Sequence, residues 1–222
     1  MRTALIAGAS GLVGGWLLRQ LLEAPEYGRV IAVGRRPLGL VHPKLAEVTV
    51  DFAALDKVTA DLRCDDAFCC LGTTIRQAGS REAFRAVDHA AVLAFAWAAR
   101  RNGAGRFFAV TALGANARSR VFYNRVKGET EEALAVLGFK TLALFRPSLL
   151  LGRRKERRWG ERIGEVILWV AEPLLLGGLR QYRAISAEVV ARAMLRCSFG
   201  RSGAGILTFS SDEIQDMGEY SP

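Results

Sequence analysis

The chain has 222 residues, of which 50% are hydrophobic, and its 31 basic and 22 acidic residues give a formal net charge of +9. This length favours one domain, and the hydrophobic content is sufficient for a buried parallel sheet. The positive charge suits an anionic partner, but it does not distinguish a phosphorylated cofactor from nucleic acid or a membrane surface. The four cysteines, Cys64, Cys69, Cys70 and Cys197, include no Cys-x-x-Cys spacing, which argues against a zinc site and a redox pair and favours reduced thiols in a cytoplasmic protein.

Apolar runs alternate with helix-favouring segments along the chain, which predicts an α/β fold with a doubly wound parallel sheet. Strands are predicted at Thr3–Ala7, Arg29–Val33, Glu47–Val50, Asp66–Leu71, Arg106–Val110, Thr141–Phe145 and Ile206–Phe209. Helices are predicted at Gly11–Ala24, Leu55–Leu62, Arg81–Asn102, Tyr123–Leu137 and Ser186–Cys197. Because the chain opens directly into a strand, we expect no signal peptide.

A glycine-rich turn separates the first strand from the first helix. Gly8, Gly11 and Gly14 stand between the apolar run Ala4–Ala7 and the helix-favouring stretch Trp16–Leu22. The first glycine permits a tight turn, the second lets a pyrophosphate approach N–H groups at the helix N-terminus, and the third lets the helix lie close to the sheet. The spacing is Gly-x-x-Gly-x-x-Gly rather than the Gly-x-Gly-x-x-Gly of the usual fingerprint. We therefore predict a dinucleotide-binding turn; a glycine turn without a ligand is the alternative.

Tyr123 and Lys127 are four residues apart in a predicted helix, so their side chains lie on one face, one turn apart. A phenol has a pKa of about 10, and a nearby cation lowers that pKa by favouring the phenolate. Tyr123 can then give or take the proton of a hydroxyl or carbonyl while a cofactor moves a hydride, and Lys127 would reach the ribose of the nicotinamide nucleotide. The alternative is an exposed aromatic residue beside a solvated lysine.

The C-terminal third carries weaker patterns. Ile163–Leu176 is apolar but too short, too charged and too interrupted by proline to span a membrane, so we interpret it as a lid or packing helix, with a homodimer face or a peripheral membrane contact as alternatives. The basic run within Gly152–Arg162 favours a solvated face or a substrate-mouth rim over a nucleic-acid site. His42 and His89 have no partner at ligand spacing, so no metal site is predicted.

Several motifs together resemble the short-chain dehydrogenase/reductase superfamily, and more narrowly its atypical branch of Tat-interacting-protein-like, NAD(P)H-binding proteins. The motifs are Gly8–Gly14, Leu71–Thr74 with Ala78–Ser80, Ala112–Ala115, Tyr123–Glu129, and Phe145–Ser148 with Gly152. The resemblance covers nearly the whole chain. It implies a single NAD(P)-binding Rossmann domain over residues 1–222, with a cofactor-binding core at 1–147 and a small substrate-side region at 148–222.

The resemblance also implies roles for individual residues. Thr111 matches the hydroxyl residue that orients the substrate carbonyl, while Ala112 stands where relatives often carry a second hydroxyl. Asp51 and Phe52 match the segment beside the adenine; Leu71 and Gly72 match the strand end beneath the adenine ribose, and Pro147 and Ser148 the segment near the nicotinamide amide. The full predicted cofactor set is Gly8, Ser10, Gly11, Leu12, Val13, Gly14, Arg35, Arg36, Asp51, Phe52, Leu71, Gly72, Thr73, Lys127, Pro147 and Ser148.

The residues after the second strand predict the choice of cofactor. An acidic residue there would bind the ribose 2′-hydroxyl of NAD, but Gly34 is followed by Arg35 and Arg36. Guanidinium groups pair with phosphate, so the sequence predicts NADP(H), with Ser10 placed to help. A pair of solvated loop arginines is the alternative.

These observations favour an NADPH-dependent oxidoreductase acting on a small carbonyl or alcohol. The alternative is an NADP(H)-binding regulator or sensor with little turnover, which Ala112 favours. A nucleotide-sugar epimerase or dehydratase is disfavoured, since 222 residues leave little room for the larger C-terminal region of those enzymes. A homodimer is left open.

Overall fold

The computed structural model describes residues 1–58, 61–151, 177–200 and 203–219. The predictions made for the basic run within Gly152–Arg162 and for the apolar stretch Ile163–Leu176 lie outside the described residues.

Within the described chain, seven parallel strands form one sheet in the order β3-β2-β1-β4-β5-β6-β9. These strands are β1 (Arg2–Ala7), β2 (Tyr27–Gly34), β3 (Leu45–Thr49), β4 (Asp66–Cys69), β5 (Arg106–Val110), β6 (Thr141–Phe145) and β9 (Gly205–Phe209). Two short strands, β7 (Leu150–Leu151) and β8 (Ile185–Ser186), pair separately. The strand order reverses at β1, which lies between β2 and β4, and ligands of such sheets bind in the crevice outside the carboxyl ends at that point. The predicted Rossmann-type fold is confirmed.

The helical elements cover both faces of the sheet. They are α1 (Leu12–Glu23), a 3₁₀ helix (Phe52–Lys57), α2 (Ile75–Ala78), α3 (Arg81–Arg85), a π-helical segment (Ala86–Ala91), α4 (Val92–Arg101), α5 (Phe122–Ala135), a second 3₁₀ helix (Gly177–Tyr182), α6 (Ala187–Phe199) and α7 (Ser211–Glu219). The helix predicted at Leu55–Leu62 is instead the 3₁₀ helix, which begins earlier because the Asp51 carboxylate caps it by accepting the N–H of Ala53. The helix predicted at Arg81–Asn102 is interrupted by the π-helical segment.

The core lies on both sides of β1. The last four residues of this strand, Ala4–Ala7, are fully buried. Alternate side chains face opposite layers: Ile6 packs with α1 and α6 on one face, and Leu5 packs with α4 and α5 on the other. A strand buried on both faces is expected to read as a continuous apolar run, and this one does.

The amino-terminal edge of the sheet is closed by a charged network around Asp66. Arg106 donates to its carboxylate through Nε and Nη2, both at 2.6 Å, and Arg2 does so at 3.1 Å. The Tyr27 hydroxyl donates to the same carboxylate at 2.6 Å, and burial raises the pKa of that phenol. Both arginines also donate to the carbonyl of Ser198 in α6. These groups satisfy one another, so this edge is structural and the opposite edge is the one open to a ligand.

Candidate cofactor-binding and catalytic site

A cavity of about 150 Å³ opens at the carboxyl ends of β1, β2 and β4. Of the predicted cofactor residues, it is lined by Gly8, Ser10, Gly11, Arg35, Arg36, Phe52, Leu71 and Gly72. The others, Leu12, Val13, Gly14, Asp51, Thr73, Lys127, Pro147 and Ser148, lie outside its lining. The cavity therefore brings together the glycine turn, the end of β2 and the end of β4.

The glycine turn is shaped by close backbone contacts. Gly8 has a φ of +83°, and a Cβ there would lie 2.4 Å from the carbonyl oxygen of Cys70. A Cβ on Gly14 would lie 2.1 Å from the Gly8 carbonyl oxygen, so the third glycine lets α1 approach the turn itself rather than the sheet beyond it. Gly11 precedes α1 and provides no side-chain cap. With no side-chain cap from the described part of the chain, the first N–H groups of α1 are available to an anion at the positive end of the helix dipole.

The two arginines after β2 are exposed at the rim of the cavity. Within the described chain neither Arg35 nor Arg36 has an ion-pair partner. Among the described residues that line the cavity, Glu47 supplies the carboxylate, and this carboxylate accepts the backbone N–H of Leu38 at 2.7 Å. The rim thus offers unpaired guanidinium groups to an anionic ligand.

The two residues Asp51 and Phe52, which follow β3, have different roles. Asp51 uses its carboxylate to cap the 3₁₀ helix, accepting the Ala53 N–H at 3.1 Å. The next residue, Phe52, is 6% exposed and lines the cavity. The aromatic residue, rather than the carboxylate, is therefore the one that faces the cavity.

Tyr123 and Lys127 lie on α5 beside this cavity. Lys127 is buried, and its Nζ would be 3.7 Å from a Cβ placed on Gly72, which lines the cavity. Tyr123 is half-buried, and its ring centroid is 5.4 Å from that of Phe84. The Lys127 ammonium thus lies near the end of β4, whereas the contact of Tyr123 with a substrate stays a prediction.

Lys127 forms a buried ion pair that the sequence did not reveal. Its Nζ lies 2.7 Å from Oδ1 of Asp88, a fully buried residue in the π-helical segment, whose Oδ2 accepts the Thr73 N–H at 2.8 Å. Burial by itself lowers the pKa of Lys127, but Asp88 and Tyr123 more than offset it, so the pKa is raised. A carboxylate flanked by apolar and alanine residues in a helical run was the available signal, since such a residue is seldom buried without a partner.

The hydroxyl of Thr111, predicted to orient a substrate carbonyl, donates to Glu131 Oε1 at 2.6 Å. Arg146 contacts the same carboxylate at 3.0 and 2.5 Å. Thr111 is 6% exposed and the neighbouring Ala112 is 7% exposed. The hydroxyl is thus engaged by α5, and its contact with a substrate stays a prediction.

Pro147 and Ser148 join the loops behind the site. The Pro147 carbonyl accepts the Leu113 N–H at 2.9 Å. The Ser148 hydroxyl bonds to the Arg183 carbonyl, and its backbone N–H donates to Ser211 Oγ at 3.2 Å. Both residues tie the end of β6 to neighbouring segments, and their predicted contact with the nicotinamide amide stays a prediction.

The loop between β5 and α5 depends on Gly128. A Cβ there would lie 2.1 Å from the backbone nitrogen of Ala117, so any side chain would push the loop away from α5. The Asn116 N–H also donates to the Asn124 carbonyl at 3.0 Å. The glycine that follows Lys127 therefore fixes the loop that leads into Tyr123.

Within residues 1–58, 61–151, 177–200 and 203–219, no group of three or more His, Cys, Asp or Glu side chains is arranged to hold a metal ion. Across the same residues, no helix has the length and apolar character needed to cross a bilayer.

Comparison with known proteins identifies the family. The family model described as "NAD dependent epimerase/dehydratase family" matches residues 4–121, which is more than half of the chain. The chain belongs to this family. The family name includes epimerases and dehydratases, whose larger C-terminal region this chain length disfavours; the match shows family membership and not the reaction.

Individual relatives of this epimerase/dehydratase-family chain are similar over most of their length. Protein HTATIP2 of Rattus norvegicus is 34% identical over 198 residues, which is 87% of this chain and 80% of the relative. The protein fmp52 of Aspergillus fumigatus is 33% identical over 202 residues, covering 87% and 85%. These matches confirm the resemblance to the atypical, Tat-interacting-protein-like branch of the short-chain dehydrogenase/reductases.

Solved structures show the same fold. The enzyme WbmH of Bordetella bronchiseptica, in complex with NAD+, superposes with a TM-score of 0.68 at 19% identity, covering 95% of this chain and 76% of that one. The human epimerase family protein SDR39U1, with NADPH, gives a TM-score of 0.64 at 18% identity, covering 94% and 74%. At these identities the likeness concerns the fold alone.

The predicted cytoplasmic location is contradicted by the fungal relatives. The similar proteins of Eremothecium gossypii, Saccharomyces cerevisiae and Aspergillus clavatus, 32%, 34% and 32% identical to this chain, are named mitochondrial proteins. Reduced cysteines were the basis of the expectation, and they do not separate one reducing compartment from another.

Proposed function

We propose that this short-chain dehydrogenase/reductase binds NADP(H) in the cavity at the carboxyl edge of the sheet and is an oxidoreductase for a small carbonyl or alcohol. The observation that carries the proposal is the placement of one cavity between the capless start of α1, two unpaired arginines and the Lys127 ammonium. The name of the family and the NADPH in the SDR39U1 structure support the cofactor class.

The residues present fit such a cofactor. The N–H groups at the start of α1 would hold the diphosphate, and Gly11 leaves them uncovered. Arg35 and Arg36 would pair with the 2′-phosphate, since both are exposed on the rim. Gly72 lines the cavity without a side chain and leaves room above the Lys127 ammonium. When bound, the nicotinamide supplies or accepts the hydride.

Tyr123 would handle the proton of the substrate oxygen. A phenol can give or take the proton of a substrate oxygen when it is held within hydrogen-bond reach of that oxygen. Lys127 has three N–H donors, of which Asp88 engages one, so two remain for ribose hydroxyls. The hydrogen bond from Thr111 to Glu131 would hold the end of β5 against α5, which carries Tyr123 and Lys127.

Calorimetric titration with NADPH and NADH tests the cofactor choice. We expect NADPH to bind at least about 10-fold more tightly, because a bidentate guanidinium–phosphate pair is charge-assisted. Arg35→Ala and Arg36→Ala should each reduce that preference. Arg101→Ala is the matched control, since Arg101 is exposed at the end of α4, away from the cavity. Equal affinities for the two cofactors in the wild-type chain would refute the charge argument.

A panel of small carbonyl compounds tests turnover, with NADPH oxidation followed at about 340 nm. Tyr123→Phe should lower turnover by at least about 100-fold, because proton transfer by a positioned side chain contributes that much, while NADPH affinity stays within about twofold. Full activity of Tyr123→Phe would remove the proposed acid.

A second candidate is an NADP(H)-binding regulator with little turnover. It is favoured by one observation: the Thr111 hydroxyl is engaged by Glu131, and the next residue is Ala112. Tight NADPH binding with no oxidation of any panel member would support this candidate. Turnover that appears only in Ala112→Ser would show that the missing hydroxyl is the reason.

Association of two copies and a single domain over residues 1–222 remain proposals. Sedimentation equilibrium would settle the first. A single cooperative unfolding transition by both fluorescence and circular dichroism would support the second.

A further inference from the structure

The ion pair between Asp88 and Lys127 is buried on both sides. The side chain of Asp88 is 0% exposed and that of Lys127 is 6% exposed. The backbone of Asp88 is held as well, because its carbonyl accepts the Thr130 hydroxyl of α5 at 3.0 Å. The π-helical segment therefore delivers the carboxylate to the middle of α5, where Lys127 is.

The two carboxylate oxygens of Asp88 have different partners. Oδ2 accepts the N–H of Thr73, which follows the cavity-lining Gly72. Oδ1 forms the ion pair with the Lys127 ammonium at 2.7 Å, and within the described residues it accepts no hydrogen bond from another donor. A single side chain thus links the segment at the end of β4 to the lysine.

The surroundings of Lys127 contain little else that could stabilise a charge. Transfer of an ammonium from water into an apolar site strongly favours the neutral amine. The titratable groups facing it are Asp88, Tyr123 of the same helix and Cys69 of β4. Burial raises the pKa of the Cys69 thiol to about 12, so it stays neutral. Asp88 is therefore the carboxylate that can hold this ammonium in its charged form.

We infer that Asp88 is a positioning residue: it keeps the buried Lys127 protonated and aimed at the cavity floor beside Gly72. An effect of Asp88 on cofactor binding rests on the proposed function. The protonation of Lys127 in the cofactor-free protein does not depend on that function. The two can therefore be tested separately.

Asp88→Asn is the informative variant because it keeps the shape and the acceptor for Thr73 while removing the charge. Without the carboxylate, burial dominates and the pKa of Lys127 falls. Lys127 then loses its proton as the pH rises toward about 9, so NADPH binding should weaken with increasing pH. Glu129→Gln is the matched control, since Glu129 lies on the same helix and pairs with Arg85 at the surface.

The direct readout is the titration of the lysine side-chain nitrogen by NMR in the cofactor-free protein. The five lysines are Lys44, Lys57, Lys127, Lys140 and Lys155, and Lys127→Arg assigns the resonance of interest. We expect the wild-type and Glu129→Gln midpoints at or above the ordinary value of about 10.4, and the Asp88→Asn midpoint at least about 2 pH units lower. An unchanged midpoint in Asp88→Asn overturns the inference. So does a wild-type midpoint below about 9, which can be measured even if the variant is unstable.

NADPH titration separates this inference from the proposed function. Between about pH 7 and about pH 9, where the 2′-phosphate is already fully ionised, the wild-type affinity should be flat, whereas Asp88→Asn should lose about fivefold or more. Asp88→Asn combined with Lys127→Arg should restore a flat profile, because a guanidinium stays charged. A shifted Lys127 midpoint without NADPH binding in any variant would sink the proposed function and leave the role of Asp88 standing. NADPH binding with an unshifted midpoint would do the reverse.

Discussion

Two neighbouring regions of the site differ in how their polar groups are used. The phosphate-side region comprises the turn Gly8–Gly14, Arg35, Arg36 and Gly72; the tyrosine-side region comprises Asp88, Thr111, Tyr123, Lys127 and Glu131. The first presents backbone N–H groups and exposed guanidinium groups that have no ion-pair partner within the described residues. In the second, carboxylates and their partners are buried against one another.

This difference separates binding from positioning. Unpaired donors at a surface can form hydrogen bonds to a ligand at little desolvation cost. A buried charge that loses its partner is left uncompensated, which destabilises the folded chain. Substitutions in the phosphate-side region should therefore change cofactor affinity, and those in the tyrosine-side network should first change the free energy of unfolding.

The largest effect is expected for Gly14→Ala in the phosphate-side region. A Cβ there would lie 2.1 Å from the Gly8 carbonyl oxygen, so the turn or α1 must move. A displacement of about 1 Å in a positioning element costs about 100-fold, so NADPH affinity measured by calorimetry should fall by at least that factor.

Gly15→Ala is the matched control on the same helix. Its Cβ would be 3.5 Å from the Ala9 carbonyl oxygen, an ordinary contact, and alanine favours a helix by about 1 kcal/mol over glycine. Equal NADPH affinities for Gly14→Ala and Gly15→Ala would show that the phosphate-side turn is not where the cofactor binds.

The next largest effect is expected for Glu131→Ala, in the tyrosine-side region. This change leaves Arg146 and the Thr111 hydroxyl without their shared acceptor. The carboxylate is buried but Arg146 is one-third exposed, so the loss should be about 2–3 kcal/mol. Glu129→Ala removes an exposed pair with Arg85 two residues away and should cost less than about 1 kcal/mol. Urea unfolding measures both; similar losses would mean that the Glu131 network is no more structural than a surface ion pair.

Thr111→Val should have a smaller effect. The variant keeps the shape of the side chain but loses a hydrogen bond to a charged group, which is worth about 1–2 kcal/mol of unfolding free energy. Thr111→Ser should recover most of this loss, and NADPH affinity should stay the same in both. A loss of turnover in Thr111→Val with no loss of stability would instead place the hydroxyl on the substrate, as the sequence resemblance implies.

The smallest effect concerns His89, beside the tyrosine-side network. Burial and the nearby Arg85 lower the pKa of its imidazole, although Glu129 opposes them. The unfolded chain therefore binds this proton at a higher pH than the folded chain, and stability falls as the pH drops through the interval between the two pKa values. His89→Gln should flatten the pH dependence of the melting temperature in that interval; an unchanged profile would assign the slope to other groups.

The sequence was sufficient for features that depend on local chemistry. The glycine turn, the order of strands and helices, and the one-turn spacing of Tyr123 and Lys127 each follow from backbone geometry or periodicity, and the structure contains them. The strand ends differ by one or two residues, and β4 ends at Cys69 rather than at Leu71. The parallel α/β class follows from the alternation of strands and helices, whereas the reversal of strand order at β1 is seen only in the structure.

What the sequence did not reveal depends on long-range partners. Asp88 was missed because a π-helical turn shifts its side chain relative to the regular helix that the alanine-rich pattern predicts. The capping role of Asp51 and the engagement of Thr111 by Glu131 arise from contacts that periodicity does not encode. A motif identifies a candidate residue. Which of that residue's hydrogen-bond donors and acceptors stay available depends on the neighbours that folding brings next to it.

Hydrogen–deuterium exchange with and without NADPH tests the central claim most directly, because it reports where the dinucleotide binds. The account predicts slowed exchange at Gly8–Gly14 and at Leu71–Thr73, with no change along the amino-terminal edge at Asp66 and Arg106. Unchanged exchange at the glycine turn under saturating NADPH, or protection confined to the opposite edge, would contradict it.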